Sequence, residues 1–118
     1  MDNKNKLVLY KARSGEVELR ADIKRDTMWA TQIQIARLFD CDRSVVSKHI
    51  RNIFGNEEVE EKSNVQKMHI PKSNKPTILY SLDVILAVGY RINSKKAIFF
   101  RKWATGILRG VSHKRLQS

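Results

Sequence analysis

The chain has 118 residues, one cysteine and a net charge of +11, with 42% hydrophobic and 30% charged residues. That size holds one genuine core but not two, and the composition is that of a globular protein rather than a disordered one. The lone Cys41 excludes a disulfide framework and a cysteine-cluster zinc site, and no apolar run approaches the ~18 residues of a membrane span.

The opening MDNKNK lacks the apolar segment of a signal peptide, so a bacterial cytoplasmic location is expected. The charge is uneven. Residues 1–56 carry 11 cations and 7 anions, residues 57–63 four anions and one cation, and residues 64–118 11 cations against the single Asp83. A solvated surface mixes signs, so so one-sided a half implies a polyanionic partner, with a phosphate backbone favoured over an anionic membrane. No stretch pairs a broad basic face with a bulky apolar one, as membrane binding would require.

In chain order, residues 7–12 (LVLYKA) and 16–23 (EVELRADI) flank Arg13-Ser14-Gly15. The second run sets Val17, Leu19, Ala21 and Ile23 on one side, and Glu18, Arg20 and Asp22 on the other. This predicts an N-terminal β-hairpin with a half-buried second strand. Its acidic outer face argues against contact with nucleic acid. Lys24-Arg25-Asp26 turns the chain, and Trp29 is expected in the core beside the next helix start.

Residues 31–53 (TQIQIARLFDCDRSVVSKHIRNI) have the grammar of a helix-turn-helix. Thr31 and Gln34 form a T-x-x-Q capping box, and Ile35, Leu38 and Phe39 recur at helical spacing. Asp40 should end the helix in a left-handed turn, with Cys41 a small buried residue there and Asp42 capping the next helix. On that second helix Val46, Ile50, Ile53 and Phe54 make one apolar stripe. Ser44, Ser47, Lys48 and Arg51 fall opposite, with Arg43 at the leading end. Lys and Arg reach phosphates or guanine edges, and Ser donates to phosphate or base, so this face suits a DNA groove. An ordinary helical hairpin with a solvated polar face is the plainer alternative.

Gly55-Asn56 is expected to stop the helix, and residues 57–61 form an acidic linker or short helix. Residues 65–70 (VQKMHI) and 77–80 (TILY) read as strands around the turn PKSNKP, which carries Lys72 and Lys75. Such a basic hairpin after a helix-turn-helix is wing-like, and its tip could lie along phosphates. A plain surface hairpin with solubilising lysines is the alternative. Ser81 caps a buried helix over 82–92, and Asn93-Ser94 breaks and recaps the chain. A last helix over 95–109 buries Phe100, Trp103, Ala104, Ile107 and Leu108, while Lys95, Lys102 and Arg109 repeat every seven residues elsewhere. Gly89 is expected to ease helix packing, and Arg91 to reach a phosphate beside Lys95 and Lys96. The fold class is therefore α+β: a helix-turn-helix with an N-terminal β-hairpin, a second basic wing-like β-hairpin and two C-terminal helices. Residues 1–111 form one winged helix-turn-helix-like domain and 112–118 a basic, frayed tail.

Two segments, TQIQIARLFDCDRSVVSKHIRNIF and YSLDVILAVGYRINSKKAIFFRKWATGILR, resemble the amino-terminal domain of the RhuM family of bacterial virulence-associated proteins. The resemblance runs from about residue 17 to 109. It implies a DNA-binding module of prophage or pathogenicity-island origin, related to phage domains of the KilA-N and Bro type, with no established enzymatic activity. Family members are commonly longer, so the chain is expected to be an excised domain or a short relative.

Three functions compete. The first is a sequence-specific transcriptional regulator, binding double-stranded DNA through Arg43, Ser44, Ser47, Lys48, Arg51, Lys72, Lys75, Arg91, Lys95 and Lys96. It needs no cofactor, metal or small-molecule substrate, and a homodimer is compatible with it. The second is a protein-interaction or oligomerisation module. The third, a nuclease or toxin, needs clustered acids or histidines. His49, His69 and His113 are scattered, so no catalytic residue is assigned.

Overall fold

The computed structural model describes residues 5–110. The predicted boundary at 111 and the tail 112–118 lie outside them. The expected α+β architecture is present, with one additional strand. Strands β1 (Asn5–Ala12), β2 (Gly15–Asp22) and β3 (Thr27–Trp29) form an antiparallel sheet in that order. Helices α1 (Gln32–Phe39) and α2 (Arg43–Gly55) follow, then the single-turn α3 (Glu61–Asn64). A second antiparallel pair, β4 (Val65–Met68) and β5 (Thr77–Tyr80), leads into α4 (Leu82–Ile92) and α5 (Ser94–Arg109).

Local chemistry explains the helix boundaries. The Thr31 hydroxyl accepts the Gln34 amide at 3.1 Å and the Gln34 side chain accepts the Thr31 amide at 2.8 Å, completing the capping box. Asp40 closes α1 at φ 57°, a left-handed turn that aspartate tolerates. Ser81 caps α4, and Asn93 is at once the end of α4 and the cap of α5, accepting the Lys96 amide at 3.1 Å. Helix α2 ends differently from expectation. Gly55 is still helical, and the left-handed residue is Glu57 at φ 58°.

The core lies between the inner face of the three-stranded sheet and the helices. Val17, Leu19 and Ala21 point into it from β2, meeting Ile35 and Phe39 of α1, Val46, Ile50 and Ile53 of α2, Val84, Ile85 and Val88 of α4, and Phe100 of α5. Gly89 is buried where α4 crosses α1. A Cβ there would overlap the Phe39 ring and come within 3.1 Å of Ala97 Cβ, so only glycine lets these helices approach so closely.

The N-terminal hairpin differs from the predicted alternation at its end. Asp22, placed outward by parity, is buried and accepts the Trp29 indole N–H at 3.0 Å. Its other oxygen accepts the Arg25 amide at 3.2 Å, closing the turn in which Ile23 is left exposed. That turn returns the chain as β3, a strand too short for periodicity to reveal. A two-residue bridge then joins the two sheets: Ala30 and Tyr80 exchange backbone hydrogen bonds at 3.0 and 2.8 Å.

Candidate nucleic-acid interface

The turn between α1 and α2 sets the pose of α2. The Ala36 carbonyl accepts the Cys41 amide at 3.0 Å, and the Asp42 carboxylate accepts the Ser44 amide at 3.0 Å. The Ser44 hydroxyl and then its amide hold the Asp42 carboxyl below its usual range. Ser44 therefore spends its hydroxyl proton on the cap, leaving an oxygen that can only accept. Beyond the cap, Val46, Ile50 and Ile53 are buried, which turns Arg43, Lys48 and Arg51 to solvent and leaves Ser47 half-buried.

One flank of α2 looks onto the second hairpin across two adjoining hollows. A hollow of about 310 Å³ lies between the N-terminal ends of α1 and α2 and the start of β5, lined by Thr31, Gln32, Arg43, Pro76 and Ile78 among others. A second, of about 450 Å³, runs along α2 with Ser47, Arg51 and Lys67 on its walls. Gln32, Ile78 and Tyr80 line both. The Gln32 amide nitrogen donates to the Tyr80 hydroxyl at 3.1 Å, while its oxygen is buried without a protein partner. Gln32 and Lys67 were absent from the sequence-derived site. Nothing in the local pattern marks them, because their place depends on the hairpin of β4 and β5, whose Tyr80 lies 48 positions after Gln32.

The opposite flank faces the junction of α4 and α5. Burial first, then the Arg91 and Lys48 cations, push the His49 imidazole below its ordinary pKa, and its Nδ1 is buried without a partner. Burial and then the Asp42 and Asp40 carboxylates raise the Cys41 thiol's pKa, with the Lys96 ammonium opposing them. Arg91 and Lys96 thus stand beside α2, Lys96 by the turn and Arg91 further along.

The expected contact residues separate into groups. Arg43, Ser47, Lys48 and Arg51 share the outer half of α2, and among the described residues no ion pair involves Arg43, Lys48 or Arg51. Arg91 is different: its guanidinium is paired with Glu58. Lys72 and Lys75 are exposed on the hairpin loop, whose shape Ser73 holds by donating to the Lys75 carbonyl at 2.9 Å and accepting its amide at 3.2 Å. Lys95 lies on the outer face of α5, in register with exposed Lys102 and Arg109 and beside Phe99, which is 60% exposed. Cys41 is half-buried rather than fully enclosed.

Among the described residues, no group of three or more His, Cys, Asp and Glu side chains is placed to hold a metal, and no helix is long and apolar enough to cross a membrane. Compared with known families, residues 57–116 match the model of the virulence protein RhuM family. The matched segment opens after α2 and takes in α3, the second hairpin, α4 and α5. No curated protein and no solved structure matches the chain.

Proposed function

The chain belongs to the virulence protein RhuM family, and from that premise we propose that it is a sequence-specific double-stranded DNA-binding module regulating genes of a phage or pathogenicity island. The observation that carries the reading is the outer half of α2. It presents Arg43, Lys48 and Arg51 free of ion pairs among the described residues, between a hairpin bearing Lys72 and Lys75 and a junction bearing Lys96. In this reading α2 enters the major groove. Arg43, Ser47 and Arg51 reach base edges or the phosphates lining the groove, and Lys48 holds its outward side. The hairpin loop acts as a wing along the backbone, where Lys72 and Lys75 neutralise phosphates and release counterions. Gln32 supports the set from beneath, its amide nitrogen donating to the Tyr80 hydroxyl and so tying the start of α1 to the hairpin beside α2. Ser44 serves as an acceptor at most. The role is one of binding, without a cofactor or chemistry of its own.

Selection of bound duplexes from a random pool at two salt concentrations tests this. A recovered motif that depends on Ser47 and Arg51, with Lys75→Ala lowering affinity evenly and reducing the salt slope by about one, is the expected result. Lys48→Glu binding duplex as tightly as the parent chain at moderate salt would overturn it. Cleavage of plasmid in the presence of a divalent metal would move the reading to a nuclease.

A further inference from the structure

The free edge of the first sheet is built for pairing. The sheet order is β1-β2-β3, and among the described residues no strand pairs with the outer edge of β1. This edge spans 8 residues in unbroken register with β2, without proline or bulge. Edges of that length and regularity are usually blunted, because their unpaired amides and carbonyls template another strand.

In the middle of this edge both faces are apolar, with Lys6 and Lys11 on either side. Leu7 and Leu9 point outward, 59% and 57% exposed. On the inner face Val8 and Tyr10 are half-buried, and Tyr10 meets the Phe100 and Trp103 rings edge-on at 5.0 and 4.9 Å. Half-buried Trp103 of α5 thus continues that apolar strip beneath the strand.

The sequence of β1 selects its partner. The two-residue turn makes Ala12 and Gly15 the closing hydrogen-bonded pair, so Val8 and Tyr10 bond toward β2 while Leu7, Leu9 and Lys11 direct their backbone groups to the free edge. Directly opposed residues in an antiparallel pair share a face, so leucines meet leucines only in registers that preserve parity. A two-fold axis at Val8 sets each Leu7 against the other chain's Leu9. It also sets Lys6 against Tyr10 and Lys11 against Asn5, with no lysine facing a lysine. Sliding by one residue would bring Lys6 opposite Lys11 and press the outer leucines against core-facing positions.

We propose that β1 pairs antiparallel with β1 of a second copy of this chain, about a two-fold axis at Val8, joining the two three-stranded sheets into one of six strands. The interface goes beyond the proposed DNA binding and does not depend on it, since it forms on the sheet without α2 and without nucleic acid. The lysines that would deter other strands become selective here. Lys6 lies over an aromatic ring, and Lys11 opposite a neutral amide.

Sedimentation equilibrium of the full chain without DNA, across a dilution series, measures the association directly. Dimer mass is expected, with Leu7→Glu/Leu9→Glu weakening self-association by about tenfold or more, since it sets glutamates against glutamates twice. Circular dichroism of the same variant checks that it folds. A second route does not rely on that variant. In a Cys41→Ser background, Val8→Cys should oxidise to a covalent dimer, because non-hydrogen-bonded antiparallel partners lie about 4.5 Å apart at Cα, within disulfide reach. A monomer throughout the series, a dimer indifferent to the double substitution, or cross-linking at Leu9→Cys in preference to Val8→Cys would each overturn the proposal. Loss of duplex binding with the dimer intact would count against the DNA reading alone.

Discussion

The fold contains two pairs of consecutive helices, α1–α2 and α4–α5, and they are solved differently. The α1–α2 link spends three residues, with Asp40 left-handed and Asp42 as the cap. The α4–α5 link spends one, Asn93, which is extended and serves both helices. Both second helices turn cations outward. Around α2, however, a hairpin and a helix junction stand on either side, and its outer cations have no ion-pair partners among the described residues. The cations of α5, likewise without ion-pair partners among the described residues, lie on an exposed face that also carries Phe99. In the cation-rich second half, Arg91 is already engaged by Glu58. Charge count alone would favour α5, whereas the hollows along α2 are what favour α2 in the proposed reading.

The sharpest test compares equal charge changes on the two helices. Lys48→Glu should weaken duplex binding by about thirtyfold, about 2 kcal/mol, through a lost phosphate contact and new repulsion. Lys102→Glu, measured by the same titration, should change it by less than about threefold, reflecting only long-range charge. Equal losses would break the distinction between the helices.

Glycine substitutions compare their packing. Gly89→Ala drives a methyl group into the Phe39 ring and should cost about 1–3 kcal/mol in denaturant unfolding. Gly106→Ala on α5 meets open space and should stabilise by about 0.5–1 kcal/mol, the usual gain from replacing a helical glycine. A smaller effect should follow from Glu58→Gln. Releasing Arg91 from its partner should strengthen duplex binding about twofold at low salt, with the difference fading as salt rises.

The smallest effect concerns His49, at the seam between α2 and the Arg91 junction. Its folded pKa lies below the ordinary 6.5, so the unfolded chain binds the proton more readily. Its stabilising contribution is complete above that ordinary value and is lost as pH falls through it toward the depressed folded pKa. Thermal melts over a descending pH series should show this slope, and His49→Gln should flatten it.

Features set by neighbouring residues were legible in the sequence. Thr31 with Gln34, Asp42, Ser81 and Asn93 act on amides two or three positions away, so their pattern suffices to place helix starts. The apolar stripe of α2 and the hairpin of β4 and β5 follow from periodicity. Long-range partners were not legible. Alternation puts Asp22 outside, yet the Trp29 indole draws its carboxylate inside. Arg91 reads as a free cation until Glu58, 33 positions earlier, is brought against it. The three-residue β3 exists through its register with β2. Of the candidate site, its four α2 members follow from one helix period, while Gln32 and Lys67 needed the hairpin in place.

The bridge between Ala30 and Tyr80 has a kinetic consequence. Each of its residues stands one position before a helix cap, Thr31 for α1 and Ser81 for α4. Making it closes a loop of fifty residues, whose entropy must be lost before either bond is gained. Local turns and capped helices can form ahead of it, so it belongs to the late stage of assembly. Once closed, it ties the launching points of two helices together, and its two amides should be among the slowest in the chain to exchange with deuterated water.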